Sequence, residues 1–550
     1  MKDILFCVAC LFFLTAACVP VPCPAQEEHE LYTVFGSAEE LSEEELLRIE
    51  DLLGSPLRIN SAGKAGLMDS GLFTAYQAAS ILDYRERMGD ILSVAEFALV
   101  DGIGEYMAKG LSRFLSFSPS GADAASAPKG KAMLKGQWKD GAGAWSSRVT
   151  YKAGRIDAAV AARSAYTDKK LFPPSSVAFY GAWTKGGTKV VAGDMSLRFG
   201  QGLALWSGMS LSGITSPLSL YKRAGLVAGT SAYGGSSHRG VAVVLSGSRV
   251  VFTGFTSFSK GIMPGGDLTL LLPWGQFSLT GWYLDRPSSG AVSTSGRACL
   301  SGIDLFADVC WEPGSKAIAG LFGAIFPVAG RSRLGFQVRC YPKPFQGVFS
   351  GAVRTWSKTS DESGLSVSFG SGALAITADA AKKLSKDNRQ LKIGITDAFR
   401  LSSRFELKLR MAGRLRNYGN ERQRTDLRAD LCYSRARLKL NWRLNWVHSL
   451  KNGFLTYLEA AFEGRKSGAL WLRATYFAAE KWADRLYSYE RDAPGSFLIP
   501  AYYGQGLAAS AYLSRKFAIG RSQGLTCYLR ASYITKKSVA EVRLTLNYNF

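Results

Sequence analysis

The chain has 550 residues, 20% of them charged, and a formal net charge of +23. Mean hydropathy is near zero, and after residue 25 no apolar run reaches the about 20 residues a membrane-spanning helix needs. These values exclude a helical membrane protein and a single small domain, but not a transmembrane barrel, whose apolar signal lies in alternation.

Residues 1–25 read as a secretion signal, with Lys2 as its positive end and Ile4 to Ala17 as a short apolar stretch. Cleavage after Ala25 leaves Gln26 first. Thr15-Ala16-Ala17-Cys18 offers a competing lipoprotein reading, without the usual leucine. Four of nine cysteines (Cys7, Cys10, Cys18 and Cys23) lie in this stretch. The other five, Cys299, Cys310, Cys340, Cys432 and Cys527, lack C-x-x-C spacing. They read as small apolar side chains on strands, not as metal ligands or a disulfide framework.

Residues 26–56 form an acidic lead-in. Ser42-Glu43-Glu44-Glu45 reads as a capping box, followed by Leu46, Leu47, Ile49, Leu52 and Leu53 at helical spacing. Gly54 and Pro56 end it.

Residues 57–118 repeat helix, glycine turn, helix. Asn60 or Ser61 is expected to cap a short helix ending near Met68. Ser70-Gly71-Leu72 makes a turn, and Thr74 to Arg87 a longer helix that Gly89 ends. Ser93-Val94-Ala95-Glu96 reads as another capping box. After Val100-Asp101-Gly102-Ile103-Gly104, a helix runs from Glu105 to about Leu115. "LRINSA" and "QAASILDYRERMGDILSVAEFALVDGIG" resemble the paired helix-hairpin-helix domain of bacterial competence-type DNA receptors, over about 60 residues. The resemblance implies nonspecific DNA binding. Gly102 and Gly104 let backbone N–H groups reach a phosphate, and Ile103 packs between helices. The first hairpin keeps only Gly71. Lys109 and Arg113, one turn apart, add charge. Against this stands a simpler reading, in which the hairpins only pack helices or dock a protein.

Residues 119–130, rich in Ala, Ser, Gly and Pro, form a flexible linker. From 131 to 550 the chain alternates. Leu438, Leu440, Trp442, Leu444 and Trp446 interleave with Arg437, Lys439, Asn441, Arg443 and Asn445. The last nine residues alternate likewise, from Val542 to the terminal Phe550. An aromatic closing such a strand resembles the last strand of bacterial outer-membrane barrels. Strands of about 10 residues with connections between them allow about 16 to 20 strands. The expected fold is therefore α+β and multidomain: an N-terminal all-α pair of helix-hairpin-helix units, then a large antiparallel transmembrane β-barrel. "GDMSLRFGQGLALWSG" (Gly193 to Gly208) and "YSYERDAPG" (Tyr487 to Gly495) resemble segments of a group of Bacteroidota proteins of unassigned function. Those proteins join a helix-hairpin-helix domain to a β-rich region.

The positive excess lies after residue 128, whereas residues 27–60 hold about ten carboxylates against two arginines. Lys408, Arg410, Arg428, Arg437, Lys439 and Arg443 fall on the polar face of their strands. They make either an anion-attracting lumen or a salt-bridged interior. Only three histidines exist, His29, His238 and His448, in no metal-binding pattern. No His–Ser pair at strand spacing stands out, and Gly208 to Gly213 fails the nucleophile-elbow spacing. Neither an enzyme, a cofactor nor a metal is expected. The expected address is the outer membrane, with the helical domain in the periplasm. Expected partners are DNA, outer-membrane lipid, the barrel-insertion machinery and, in the alternative, a periplasmic protein docked by a structural or transport barrel.

Overall fold

The computed structural model describes residues 49, 52–53 and 56–550, apart from 121–127, 169–170, 208–215, 231–237, 329–331, 465–467, 495, 497, 521–522 and 536–537. The secretion signal, most of the acidic lead-in with its capping box, and the centre of the linker lie outside the described residues.

Between residues 57 and 118 the described residues form four helices: α1 (Lys64–Asp69), α2 (Ala75–Met88), α3 (Val94–Ala98) and α4 (Gly104–Leu111). Thr74 and Gln77 form a reciprocal capping box that starts α2, and Gly89, at φ +87°, ends it. Ser93 caps α3, but Glu96 bonds back to the Leu92 N–H, one residue earlier than a capping box requires. The expected cap of α1 is corrected. Gly63 is its N-cap, and Asn60 is buried instead, bridging the Ile91 backbone and the Ser118 carbonyl. The last helix is also shorter than expected, because Leu115–Ser116 leaves it to pair in parallel with Leu57–Arg58. Ile59, Leu67, Phe73, Ile81, Phe97, Ile103 and Leu111 close the apolar centre of this unit.

Among the described residues, twenty-four strands, from Lys129–Lys139 to Val539–Asn549, then close into an antiparallel barrel, and the short strand Gly225–Ala228 pairs with Met195–Arg198 beside it. The expected 16 to 20 is too low. That figure assumed longer connections, whereas Gly154-Arg155, Gly186-Gly187, Ser301-Gly302 and Ala436-Arg437 turn the chain in two residues each. Ser301, Gly302 and Ala436 hold the positive φ that such tight hairpins demand. These short turns gather at the end of the barrel that carries both of its termini. The long connections 199–237, 342–361 and 480–503 lie at the other end.

Alternation sets the two faces. Trp442, Trp446 and Leu544 are exposed on the outside, while Arg443, Asn445, Arg543 and Thr545 are buried inside. The exception is Ala317–Pro327, within the longest apolar run after the signal. Ala317, Ala319, Leu321 and Ile325 are buried inward, whereas Ile318 and Phe322 are exposed outward. Both faces are apolar because connections from the far end cover this arc from within.

The seam joins the first and last strands, with Leu134 opposite Leu546 and Gly136 opposite Leu544. Gly130 and Phe550 exchange both backbone bonds at 2.7 and 2.9 Å. The Phe550 ring lies over Gly130, where an added Cβ would fall 2.1 Å from it. Gly130→Leu is therefore expected to lower the temperature at which the barrel loses its heat-modifiable gel mobility, and Gly130→Leu with Phe550→Ala to recover most of the loss. Equal mobility curves for the single variant and the unaltered chain would refute this role of the ring.

Candidate functional site

The predicted hairpin residues fold together. Gly102, Ile103 and Gly104 link α3 to α4, and Gly102 and Gly104 take φ of +76° and +68°. Ile103 is buried between the helices. Gln77 Nε2 donates to the Gly102 carbonyl at 2.7 Å. Lys109 is exposed on α4, Arg113 lies in the single turn Ser112–Phe114, and Gly71 (φ +70°) turns the chain between α1 and α2.

Of these residues Gly104 approaches the barrel, and neighbouring residues of the same unit contact it. A Cβ at Gly104 would lie 2.8 Å from the Arg333 guanidinium, whose Nη1 donates to the Gly302 carbonyl at 3.0 Å. The first-turn N–H of Tyr76 on α2 donates to Gln276 Oε1 at 3.1 Å. Such helix-start donors are the groups that otherwise meet an anion. Asp69 pairs with Lys189 at 2.7 Å. Lys64 Nζ donates to the Gly247 carbonyl at 2.7 Å, and burial there holds its pKa below the ordinary lysine value. Ala75 packs into the apolar cluster of the barrel interior. The helical unit thus presses both turns against the terminus-bearing rim, and a cleft of about 50 Å³ remains between Met68, Lys189, Phe199 and Gln276. Sequence reading missed Asp69, Lys189, Gln276 and Arg333, which carry no local signature.

From the far end, segment 199–207 folds inward. Gly200 and Gly202 hold positive φ, as a tight turn requires. The Gln201 and Leu203 N–H groups bond Asp308 at 2.8 and 3.3 Å. Trp282 Nε1 donates to the Ala204 carbonyl at 2.9 Å. Leu203, Leu205, Leu220, Phe345 and Phe349 pack with Phe255 and Phe306 of the wall. Segment 342–361 is fixed by Arg339, which binds Glu362 at 2.7 Å, Asp379 at 2.8 Å and Thr355 at 2.8 Å. Both ends of "GDMSLRFGQGLALWSG" are thereby explained up to Ser207: a wall strand and the first residues of an inward fold.

The rest of the lumen is ionic. Of the six inward cations read from sequence, Arg443 and Arg428 share Asp430 at 2.5 and 2.8 Å. Lys439 pairs with Glu463 at 2.8 Å and Lys408 with Glu406 at 3.5 Å. Arg437 is corrected: it lies in the Ala436-Arg437 turn, off the strand face, half-buried with Nε and Nη2 lacking partners, while Arg410 is half-buried on the inner face. Of the two readings, the salt-bridged interior holds for at least four of these six. Residues 487–494, from the second motif, extend into this half. Glu490 binds Arg530 and Tyr502, and Asp492 binds Arg543 at 2.5 Å and Lys135 at 3.1 Å. Arg491 stacks 3.4 Å over Trp471.

One pair escaped sequence reading. His238 Nδ1 lies 3.2 Å from Ser257 Oγ, at the far end of adjacent strands. Among the described residues no carboxylate bonds this ring, so the pair lacks the orienting group of a hydrolytic triad. His448 stacks on Trp446 with ring centroids 6.0 Å apart. All five cysteines of the described residues are free.

No protein-family model and no curated protein matches the sequence. Among solved structures, the chain is similar to Pseudomonas aeruginosa OccK2 (OpdF) in complex with glucuronate, at 12% identity and a TM-score of 0.31, covering 77% of this chain and 96% of that one. It is also similar to the P pilus usher (PapC) translocation pore, at 10% identity and a TM-score of 0.40, covering 76% and 99%. At these values the likeness assigns no residue a role.

If Gly104 is the close-approach point, Gly104→Val, with a side chain at positive φ facing Arg333, should loosen the helical unit. Limited proteolysis should then cut between residues 118 and 129 faster than in the unaltered chain. Gly63→Ala, with open space around its Cβ, should leave the rate unchanged. The same rate for all three would sink the assignment.

Proposed function

We propose that the chain is a non-enzymatic, gated outer-membrane conduit whose periplasmic mouth is capped by its own helix-hairpin-helix domain. One observation carries this reading: the helix starts and glycine turns of the helical unit are directed at the barrel rim through polar, exchangeable contacts. Asp69–Lys189 and Tyr76–Gln276 are contacts of that kind, and the Arg333 guanidinium closely approaches Gly104 beside them. An apolar outer belt suits the bilayer, and an even strand number returns both ends of the barrel to one side. In an outer membrane that side is the periplasm. The docking surface of the helical domain is then internal to the chain, and outer-membrane lipid and the barrel-insertion machinery are its general partners.

Nonspecific DNA binding is the second reading, favoured by the left-handed glycines at 102 and 104. It requires the domain to leave the rim, because the Tyr76 N–H and the face of Gly104 are engaged there. Lys109 and Arg113 would then supply the charge that neutralises phosphate.

Asp69→Lys sets two ammonium groups against each other at the rim. For this partly exposed pair the cost is about 1 kcal/mol, or about fivefold in the ratio of open to closed states. Planar-bilayer recordings of the full chain should show more open time for Asp69→Lys, and a return toward the unaltered value for Asp69→Lys with Lys189→Asp. Identical currents in all three would remove the gate. Labelled duplex DNA distinguishes the second reading. Retention by Asp69→Lys, falling with salt and lost when Gly102→Val and Gly104→Val are added, supports it. No retention by Asp69→Lys rejects it.

A further inference from the structure

The segment 487–494 meets a row of wall residues whose register is telling. Trp471, Tyr512, Arg530, Arg543 and Gln137 are successive cross-strand partners, so they stand side by side across five neighbouring strands. Arg530 and Arg543 are therefore directly opposite each other on the inner face. Like charges so placed oppose strand pairing. Lys135 adds a third cation one row toward the terminus-bearing end, opposite Thr545.

Among the described residues, the wall carboxylate in contact with the two arginines is Glu541, bonded to Arg543 at 2.7 Å and 3.7 Å from Arg530. The positive charges exceed it. Glu490 and Asp492, from the inserted segment, balance them: Glu490 on Arg530, Asp492 on Arg543 and Lys135. The balance is incomplete in hydrogen bonds. Arg530 is only 2% exposed, yet its Nε has no partner, and neither has Oγ1 of the adjacent Thr545. A buried guanidinium with an idle donor calls for one more acceptor oxygen.

We infer that Lys135, Arg530 and Arg543 form a luminal binding site for a solute carrying two negative charges, as carboxylates or as phosphate. Glu490 and Asp492 occupy that site in the resting chain. Their backbone separation of two residues delivers two carboxylates to the two arginines, and a dianion can replace both at once. A singly charged solute leaves one buried cation uncompensated, which selects against it. Trp471 and Tyr512 border the row, and Arg491 covers the Trp471 face while the segment is in place. The site depends on the conduit reading only for the route by which solute arrives.

The test is calorimetric titration of the detergent-purified full chain with succinate, inorganic phosphate and chloride at constant ionic strength. Glu490→Gln with Asp492→Asn removes the internal competitor and should tighten dianion binding about tenfold. Arg530→Gln with Arg543→Gln should abolish it. Heat-modifiable gel mobility reports folding. Where a double variant fails to fold, Asp492→Asn alone, which keeps Glu490 on Arg530, should tighten binding about threefold. Succinate binding without phosphate binding assigns dicarboxylates, and the reverse assigns phosphates. Unchanged affinity in the carboxylate variants, binding retained without the arginines, or equal response to chloride would each overturn the site. Dianion binding without bilayer current would keep the site and discard the conduit. Current without dianion binding would do the opposite.

Discussion

Closure of the sheet is the constraint on which everything else depends. In a bilayer each backbone N–H and C=O must find a partner within the protein, so a strand edge facing lipid is not tolerated. The bonds between Gly130 and Phe550 end the last open edge. Twenty-four strands joined this way enclose more space than side chains of the wall can fill. Connections from the far end and the helical unit at the near end enter that space.

The space is filled by two kinds of chemistry. Along the arc that includes Thr188–Arg198 and Ala317–Pro327, the inward segments present Leu203, Leu205, Leu220 and Phe349, and the wall answers with apolar residues. Such a contact excludes water and resists exchange. Along the opposite arc the contacts are Glu490–Arg530, Asp492–Arg543 and Glu459–Arg473. Removing one member of a buried pair costs about 3–5 kcal/mol, yet replacing it with another charge of the same sign costs far less. The ionic arc is thus selective about what it accepts, and the apolar arc is the fixed frame beside it.

Much of the wall was legible in the chain, because a period of two fixes which face each residue joins once one face meets lipid. The alternation through Leu438 to Trp446 and the final strand reads off directly. Strand number did not, since it depends on turn length, and two-residue turns such as Ala436-Arg437 leave little mark beyond a positive φ. Alternation also fails where both faces are apolar, as at Ala317–Pro327. For the site, the glycines at 71, 102 and 104 were legible as turn positions, whereas their left-handed φ and their target were not. Gln276 lies 200 residues from Tyr76 in sequence. Arg543 was visible as a polar-face residue of the final strand, but its opposition to Arg530 follows only from the register of their hairpin. His238 and Ser257 came together for the same reason.

Glycine turns that resemble those of a nucleic-acid motif can equally well serve a barrel rim. A glycine turn before a helix offers bare N–H donors and room for close approach, and neither property specifies phosphate. Gln276 Oε1 satisfies the Tyr76 N–H as a phosphate oxygen would, without the charge. Affinity for DNA comes mostly from lysine and arginine, and this unit pairs an acidic residue, Asp69, with a barrel lysine instead. Charge therefore runs from the domain to the barrel rather than to an outside polyanion. The same surface can meet DNA only by giving up Lys189, Gln276 and Arg333 together. On the proposed reading, contact with the rim therefore precludes any contact of this face with nucleic acid.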